Sequence, residues 1–325
     1  MNSNKLIKLA IMELKCTQTD LAKKIGVSQA QISMWKSNGD MSLDMQDKFK
    51  ELLGIGELDP DFVYWTGGLE NSKKWYKVIG DLADRAEYTC ETGYITLPLQ
   101  DEDDSRSMLA WSTIQILIDM GVTIPDSFPA EMEFEDSDDD SDPDLGLYLE
   151  QADENSICKI IEESYDALNN LVGFFTAYIS PIRWADPDND EQIDNIYEME
   201  GELLRLAFAL TGKEDDVRPE FNIFRYKTKK YWADRLVGLK EYAVKNQIPL
   251  KAELMDLISQ DHDITGSSAE RESLGFNVGQ IHPDIYVNEI LLSLRLINQV
   301  LPVICKKLGV EDHEYEFDET EFSTR

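Results

Sequence analysis

Residues 17–39 read TQTDLAKKIGVSQAQISMWKSNG, a stretch that predicts two short helices joined by a tight turn. Thr17 has the side chain of a helix N-cap, and it precedes apolar residues that recur on one helical face. Those apolar positions are Leu21, Ala22 and Ile25. Gly26 follows where a left-handed residue ends a helix. The small side chain of Ala22 allows two helices to cross closely.

The second predicted helix begins after Ser28, which we expect to cap it. Ile32 and Trp35 lie three residues apart and predict its inward face. The side chains expected to point outward at its start are short or carry amides: Gln29, Ala30, Ser33 and Met34. A Gln amide pairs with adenine in the major groove, and Ala or Met packs against a thymine methyl group. This helix is therefore a candidate for reading base edges.

Flanking helices are predicted at 4–14 and 43–53, which completes a small helical bundle. With them, the chain resembles the phage-repressor family of helix-turn-helix domains, the Cro/repressor or XRE type. The resemblance covers residues 4–55 and nothing beyond. The residues that carry it are Thr17-Gln18, Leu21-Ala22, Gly26-Val27-Ser28-Gln29, Ile32-Ser33, Trp35 and Gly39.

The resemblance implies a double-stranded DNA operator as partner, with roles that fall on particular residues here. Gln18 would contact a backbone phosphate, and Lys36 and Asn38 would contact phosphates from the region after the recognition helix. Base contacts would come from Gln29, Ala30, Ser33 and Met34. Ala30 and Met34 stand where many relatives carry polar side chains, so we expect modest base specificity.

Charge divides the chain into two parts. The whole chain has 31 Lys and Arg against 64 Asp and Glu, a formal charge of −33, which excludes a protein that coats nucleic acid or an anionic membrane with its whole surface. Residues 1–55 nevertheless contain eight Lys and six acidic residues, a net of +2, whereas the other 270 residues carry −35. We therefore expect a helix-turn-helix domain at 1–55, a linker at 56–68, a helical dimerisation or sensing domain at 69–311 and an acidic tail at 312–325.

The fold class expected for the chain is all-α. Apolar residues recur at helical spacing through most of the body, first at Trp75, Val78, Ile79, Leu82 and Ala86. Prolines fall between the predicted helices, which include 190–210 and 250–260. Strand-like runs are short, as at 93–99. The segment 131–144 has nine acidic residues and no basic ones, and we interpret it as a disordered, solubilising loop, with a partner-binding acidic tract as the alternative.

Two features of the body allow two interpretations each. Four bases, Arg225, Lys227, Lys229 and Lys230, form a basic island among aromatic residues, which suggests a second contact with an anion such as DNA. We favour the alternative, a helix whose apolar face packs in the core. In the last long helix, 283–308, residues Ile290 to Leu308 form a heptad seam that could dimerise. Because apolar residues surround this helix, we favour burial in its own domain.

No motif of a known catalytic or metal site occurs, so we expect no enzymatic activity, no cofactor and no metal. No stretch has the length and apolarity of a membrane span, and we expect a cytoplasmic protein. The preferred hypothesis is a DNA-binding transcription regulator, a repressor of a phage or another mobile element that acts as a homodimer. The alternative is a bacterial defence or toxin–antitoxin component, whose body at 69–311 binds a partner protein and whose head autoregulates.

Overall fold

The computed structural model describes residues 3–38, 41–100, 105–132, 152–185, 189–211, 219–276 and 283–309. Within these ranges the regular structure is helical and no strand occurs, so the all-α prediction is confirmed. The acidic loop at 131–144 falls outside the described residues except at its first two positions, and the acidic tail at 312–325 lies wholly outside them.

Four helices form the head of the molecule, which we define as residues 3–55. They are α1 (Ser3–Glu13), α2 (Gln18–Ile25), α3 (Gln29–Asn38) and α4 (Leu43–Leu53). Helix α1 contacts the other three, because Leu6, Leu9 and Ala10 are buried. Leu21 of α2, Ile32 of α3 and Phe49 of α4 are fully buried, so each helix contributes to one small core.

The rest of the chain, which we call the body, contains eleven further helices within the described ranges. They are α5 (Pro60–Trp65), α6 (Leu69–Tyr88), α7 (Ser105–Asp119), α8 (Ser156–Phe174), α9 (Ile182–Ala185), α10 (Asp190–Gly201), α11 (Leu203–Thr211), α12 (Pro219–Lys245), α13 (Asp256–Ser259), α14 (His262–Ser273) and α15 (Pro283–Leu308). The last turn of α8 continues as a π-helical turn at Phe175–Ile179.

Helix α8 lies at the centre of the body, where α6, α11 and α14 pack around it. Its sequence explains the position, because apolar side chains occupy most of its circumference. Two buried polar groups form hydrogen bonds there: the Tyr165 hydroxyl lies 2.7 Å from the Thr113 hydroxyl, and the Asn169 side-chain N–H donates to the Ala86 carbonyl at 2.7 Å. The Asn169 side-chain oxygen, by contrast, is buried without a hydrogen-bond partner among the described residues.

A short helix stands where a linker was predicted, at 56–68. Asp59 accepts a hydrogen bond from the backbone N–H of Asp61 at 2.7 Å and Pro60 is the first helical residue, so the Gly- and Pro-containing segment starts α5. Phe62 and Val63 are buried where α5 packs on α1 and α7. The apolar core is therefore continuous from head to body. The division at residue 55 stays a prediction, but the connection is a packed helix.

Two polar contacts fasten α1 to the start of the body. The Lys5 ammonium lies 3.3 Å from a carboxylate oxygen of Asp61 and 4.3 Å from the centre of the Trp65 ring. The Glu13 carboxylate accepts a hydrogen bond at 2.7 Å from the backbone N–H of Leu69, the first residue of α6. A carboxylate at a helix N-terminus is favourable because it meets an unpaired N–H and the positive end of the helix dipole.

Helix periodicity located α6 well but failed at several other places. The residues expected on the buried face of α6 are all buried: Trp75, Val78, Ile79, Leu82 and Ala86. The single helix predicted over 190–210 is broken at Glu202, and the one predicted over 250–260 is helical only as α13. The strand-like run at 93–99 ends in a 3-10 turn, because Pro98 disfavours strand pairing.

The prediction that α15 is buried in its own domain is wrong. Among its described side chains only Cys305 is buried, and the six residues of the heptad seam are between 46% and 74% exposed. None of the extensive helix–helix contacts in the described ranges involves α15. Its apolar surface therefore lacks a cover within the described part of one chain.

Candidate nucleic-acid interface

Helix α2 begins with a reciprocal capping box. The Thr17 hydroxyl accepts from the backbone N–H of Asp20, and the Asp20 carboxylate accepts from the backbone N–H of Thr17, both at 3.3 Å. The Thr17 hydroxyl also donates to that carboxylate at 2.6 Å, and these hydrogen bonds lower the pKa of Asp20. The N-cap role predicted for Thr17 is confirmed, and Gln18 is the first residue of the helix that it caps.

The turn between α2 and α3 has the predicted chemistry. Gly26 adopts φ 82°, a left-handed conformation, and its N–H donates to the Ala22 carbonyl at 3.0 Å. Ser28 then caps α3, because its hydroxyl accepts from the Gln31 N–H at 3.2 Å. The turn fixes the angle between the two helices, which decides where the outer face of α3 points.

Helix α3 buries one face and exposes another, as the sequence predicted. Ile32 and Trp35 are buried against the head, and the side chain of Met34 is 47% exposed. The other three candidate base-reading residues, Gln29, Ala30 and Ser33, are also exposed. The structure therefore brings the four onto the solvent-facing surface of one helix start, which is the geometry that major-groove reading requires.

A hydrogen bond joins the candidate phosphate contact to the candidate base-reading surface. The Gln18 amide donates to the Ser33 hydroxyl at 2.8 Å, across the angle between α2 and α3. Sequence analysis did not find this contact, since residues fifteen apart give no local signal. The bond holds the Gln18 side chain next to the candidate base-reading surface.

Several lysines are exposed on or next to α2 and α3. Lys36 is exposed in the last turn of α3, while Asn38 is the last residue of that helix and its side chain lies outside what the structure describes. Three further lysines line a groove of about 680 Å³, together with Cys16, Thr17 and the acidic Asp20. These residues, Lys15, Lys23 and Lys24, were counted in the head's charge but not assigned to a site by sequence analysis.

The basic island of the body is divided by its helix. On α12, Phe224, Trp232 and Leu236 are buried, which confirms the core-facing interpretation of this segment. Lys227 and Lys230 point to solvent, whereas Arg225 and Lys229 are half-buried nearer the core face. Burial and the nearby Arg225 lower the pKa of Lys229. An anionic contact through these four residues stays a prediction.

Elsewhere in the described ranges, one group of side chains has the composition of a metal site. Asp261, His262 and Asp263 place ligand atoms within 4.8 Å of one another at the surface. Their arrangement has a structural cause: the Asp261 side chain caps α14 through the Asp263 N–H at 3.0 Å, and the Asn170 amide lies 3.2 Å from a ring nitrogen of His262.

No helix among the described residues combines the length and apolarity needed to cross a bilayer.

Comparison with known protein families supports the helix-turn-helix interpretation of the head. Residues 7–55 match a family described as Helix-turn-helix, and the match lies within the 4–55 segment that resembles the XRE type. No curated protein and no solved structure matches the chain. The matched domain supports a DNA-binding transcription regulator. Residues 7–55 are a helix-turn-helix DNA-binding domain of the XRE, or Cro/repressor, type.

Proposed function

We propose that the chain is a sequence-specific transcription regulator, a cytoplasmic repressor of a phage or another mobile element that binds its operator as a pair of copies. One observation carries the proposal: the exposed start of α3 presents Gln29, Ala30, Ser33 and Met34 together, with Gln18 hydrogen-bonded beside them. A surface of amide, hydroxyl and apolar side chains on a capped helix fits the edges of base pairs.

The proposed contacts divide into two classes with different consequences. Gln29 and Ser33 would donate to or accept from base edges, and Met34 and Ala30 would pack on thymine methyl groups. Gln18 and Lys36 would contact phosphates, which position the head without reading sequence. The groove lysines Lys15, Lys23 and Lys24 add positive charge beside α2.

The charge distribution favours two heads per operator. The net charge of +2 on residues 1–55 supports few phosphate contacts. The net charge of −35 on the remaining chain repels DNA that is not bound by the heads. Two heads related by a two-fold axis would meet half-sites about one helical turn, ~34–36 Å, apart. Because α1 is fastened to α5 and α6, the body would hold this spacing rigidly.

The proposal is tested by selecting binding sites from random double-stranded DNA with the full chain, followed by gel shift at fixed salt. We expect an enriched, near-palindromic site. Gln29→Ala should lose affinity for that site and keep its affinity for random DNA, while Gln18→Ala should lose affinity for both. Lys73→Ala, an exposed change on α6, is the matched control. The absence of enrichment, or variants that bind like the unmodified chain, would refute the assignment.

The second candidate function is the defence or toxin–antitoxin component, and the exposed apolar helix α15 favours it as a surface for a partner protein. Affinity purification of the full chain from its own host, with and without α15, separates the two. Recovery of one stoichiometric partner that depends on α15 would support the second function. Recovery of the chain with itself alone would support the repressor.

A further inference from the structure

Helix α15 is 26 residues long and its described side chains are exposed, apart from Cys305. An isolated helix of this composition is unfavourable in water, because it leaves large apolar side chains without contacts. Whatever covers α15 must present an equally long apolar surface.

The apolar residues of α15 follow a heptad repeat with a specific distribution of residue types. The seam steps by four and three residues through Ile290, Leu294, Ile297, Leu301, Ile304 and Leu308. In heptad notation the a positions of this seam, 294, 301 and 308, are Leu, and its d positions, 290, 297 and 304, are Ile. In parallel bundles this arrangement favours assemblies larger than two strands, because β-branched Ile at d packs poorly in a dimer. The reverse arrangement, with β-branched residues at a and Leu at d, favours dimers.

The apolar surface is also wider than a two-stranded seam. On one side of the seam, Val300 at position g is about half exposed, and so are Leu296 and Val303 at position c, farther around the helix. The opposite side of the helix is polar, with Arg295, Gln299 and Lys306. A two-stranded coiled coil covers a narrow a/d stripe, whereas a stripe that extends to a g position requires a further neighbour on that side. Pro302 lies on the polar side, so the carbonyl that it leaves unpaired can face water.

Charge indicates that the neighbours are copies of the same chain. Residues 290–310 contain no acidic residue, in a chain with 64 of them, and carry three bases. Copies with a formal charge of −33 repel one another over most of their surfaces. Two such chains can meet on α15 from residue 290 onward without opposing carboxylates.

We propose that α15 assembles four copies of the chain into a parallel four-helix bundle. The bundle buries the Leu and Ile seam at its centre and places Val300 against an adjacent helix. The assembly itself does not depend on the head. Its consequence does rest on the proposed function: four heads form two pairs, and each pair binds one operator, so one tetramer bridges two DNA sites.

The decisive experiment measures the mass of the full chain, free of DNA, by light scattering and by native mass spectrometry at micromolar concentration. We expect about 149 kDa, four times the chain mass of 37.2 kDa. A variant with Leu and Ile exchanged at all six seam positions keeps the composition and the apolar surface. It should shift to a dimer, because it places Ile at a and Leu at d. Gln299→Ala, on the polar side, should stay tetrameric.

Leu301→Asp provides a second disruption, because four carboxylates would meet at the bundle centre. This variant should lose the tetramer while its far-ultraviolet circular dichroism and its binding to a single half-site persist. A monomeric or dimeric unmodified chain would overturn the proposal, and so would an exchanged-seam variant that remains tetrameric. A tetramer that fails to enrich any DNA site would confirm the bundle and refute the proposed function, so the two failures are distinguishable.

Discussion

The contact between Glu13 and the first N–H of α6 offers a test of whether the head is fixed to the body. The carboxylate accepts from Leu69 at 2.7 Å. Hydrogen bonds to charged groups contribute ~1.5–3 kcal/mol, and this group is partly buried at the positive end of a 20-residue helix. Glu13→Ala should therefore facilitate local opening of this junction by about 2 kcal/mol, which corresponds to roughly 30-fold.

Hydrogen exchange of the Leu69 amide measures this opening directly, since that N–H is the donor. We expect its exchange to accelerate roughly 30-fold in Glu13→Ala, and by a smaller factor in Glu13→Gln, whose amide carbonyl can still accept. Gly68→Ala should act similarly, because a β-carbon there would lie 2.4 Å from a Glu13 carboxylate oxygen and because φ is +120°.

Glu70→Ala is the matched control for this junction. Glu70 is an exposed acid in the same helical turn, and its ion pair with Lys73, at 3.6 Å, contributes at most ~0.5 kcal/mol. Its Leu69 exchange rate should stay within about two-fold of the unmodified chain. If Glu13→Ala left the rate unchanged, or if Glu70→Ala raised it equally, the junction would not depend on this hydrogen bond.

Three other predictions concern DNA and pH. Gln29→Ala should weaken specific binding by ~1–3 kcal/mol without changing the slope of log K against log salt, because Gln carries no charge. Lys36→Ala should reduce that slope by about 0.9, the value for one lost phosphate contact; an unchanged slope would exclude that contact. Burial raises the pKa of Asp81 from 3.8 to about 6, against the opposing effect of Lys77, so the folded chain holds this proton more tightly than the unfolded chain. As the pH rises from 4 to 6, chemical denaturation should show the unmodified chain losing stability relative to Asp81→Asn. The expected loss is about 2 kcal/mol, because partial exposure weakens the effect. A difference between the two proteins that does not change with pH would contradict burial as the cause of the raised pKa.

The head could be predicted from sequence because its signals are local. Three signals lie within twelve residues: the cap at Thr17 starts α2, the left-handed Gly26 ends it, and the cap at Ser28 starts α3. They fix which side of α3 faces outward, and the exposed residues of α3 could therefore be predicted from the sequence. The Gln18–Ser33 hydrogen bond could not be predicted, since it depends on the crossing angle of two helices.

The body was harder because its signals conflict. At 56–68 the Gly and Pro residues indicated a linker, yet Asp59-Pro60 is also a helix start, and burial of Phe62 decided between them. Helix α14 was missed because its sequence is polar. It packs on α8 through small buried positions, Thr265, Gly266 and Ala269, which carry no hydrophobic periodicity.

Helix α15 shows a different limit of sequence reasoning. Its apolar repeat indicated a helix that packs against another surface, but the pattern does not specify which chain provides that surface. Exposure of its seam in the folded chain removes the interpretation as an internal core helix. The residue types at the a and d positions indicate how many helices assemble, whereas the number of apolar residues alone does not.

Footprinting of the full chain on its selected site tests the central claim most directly. Heads that present α3 to the major groove as a two-fold pair should protect two half-sites about one helical turn apart, ~34–36 Å, with the strongest protection on the bases facing α3. Gln29→Ala should lose the protected bases at equal protein concentration. Protection of a single half-site, or the same footprint with Gln29→Ala, would contradict the account.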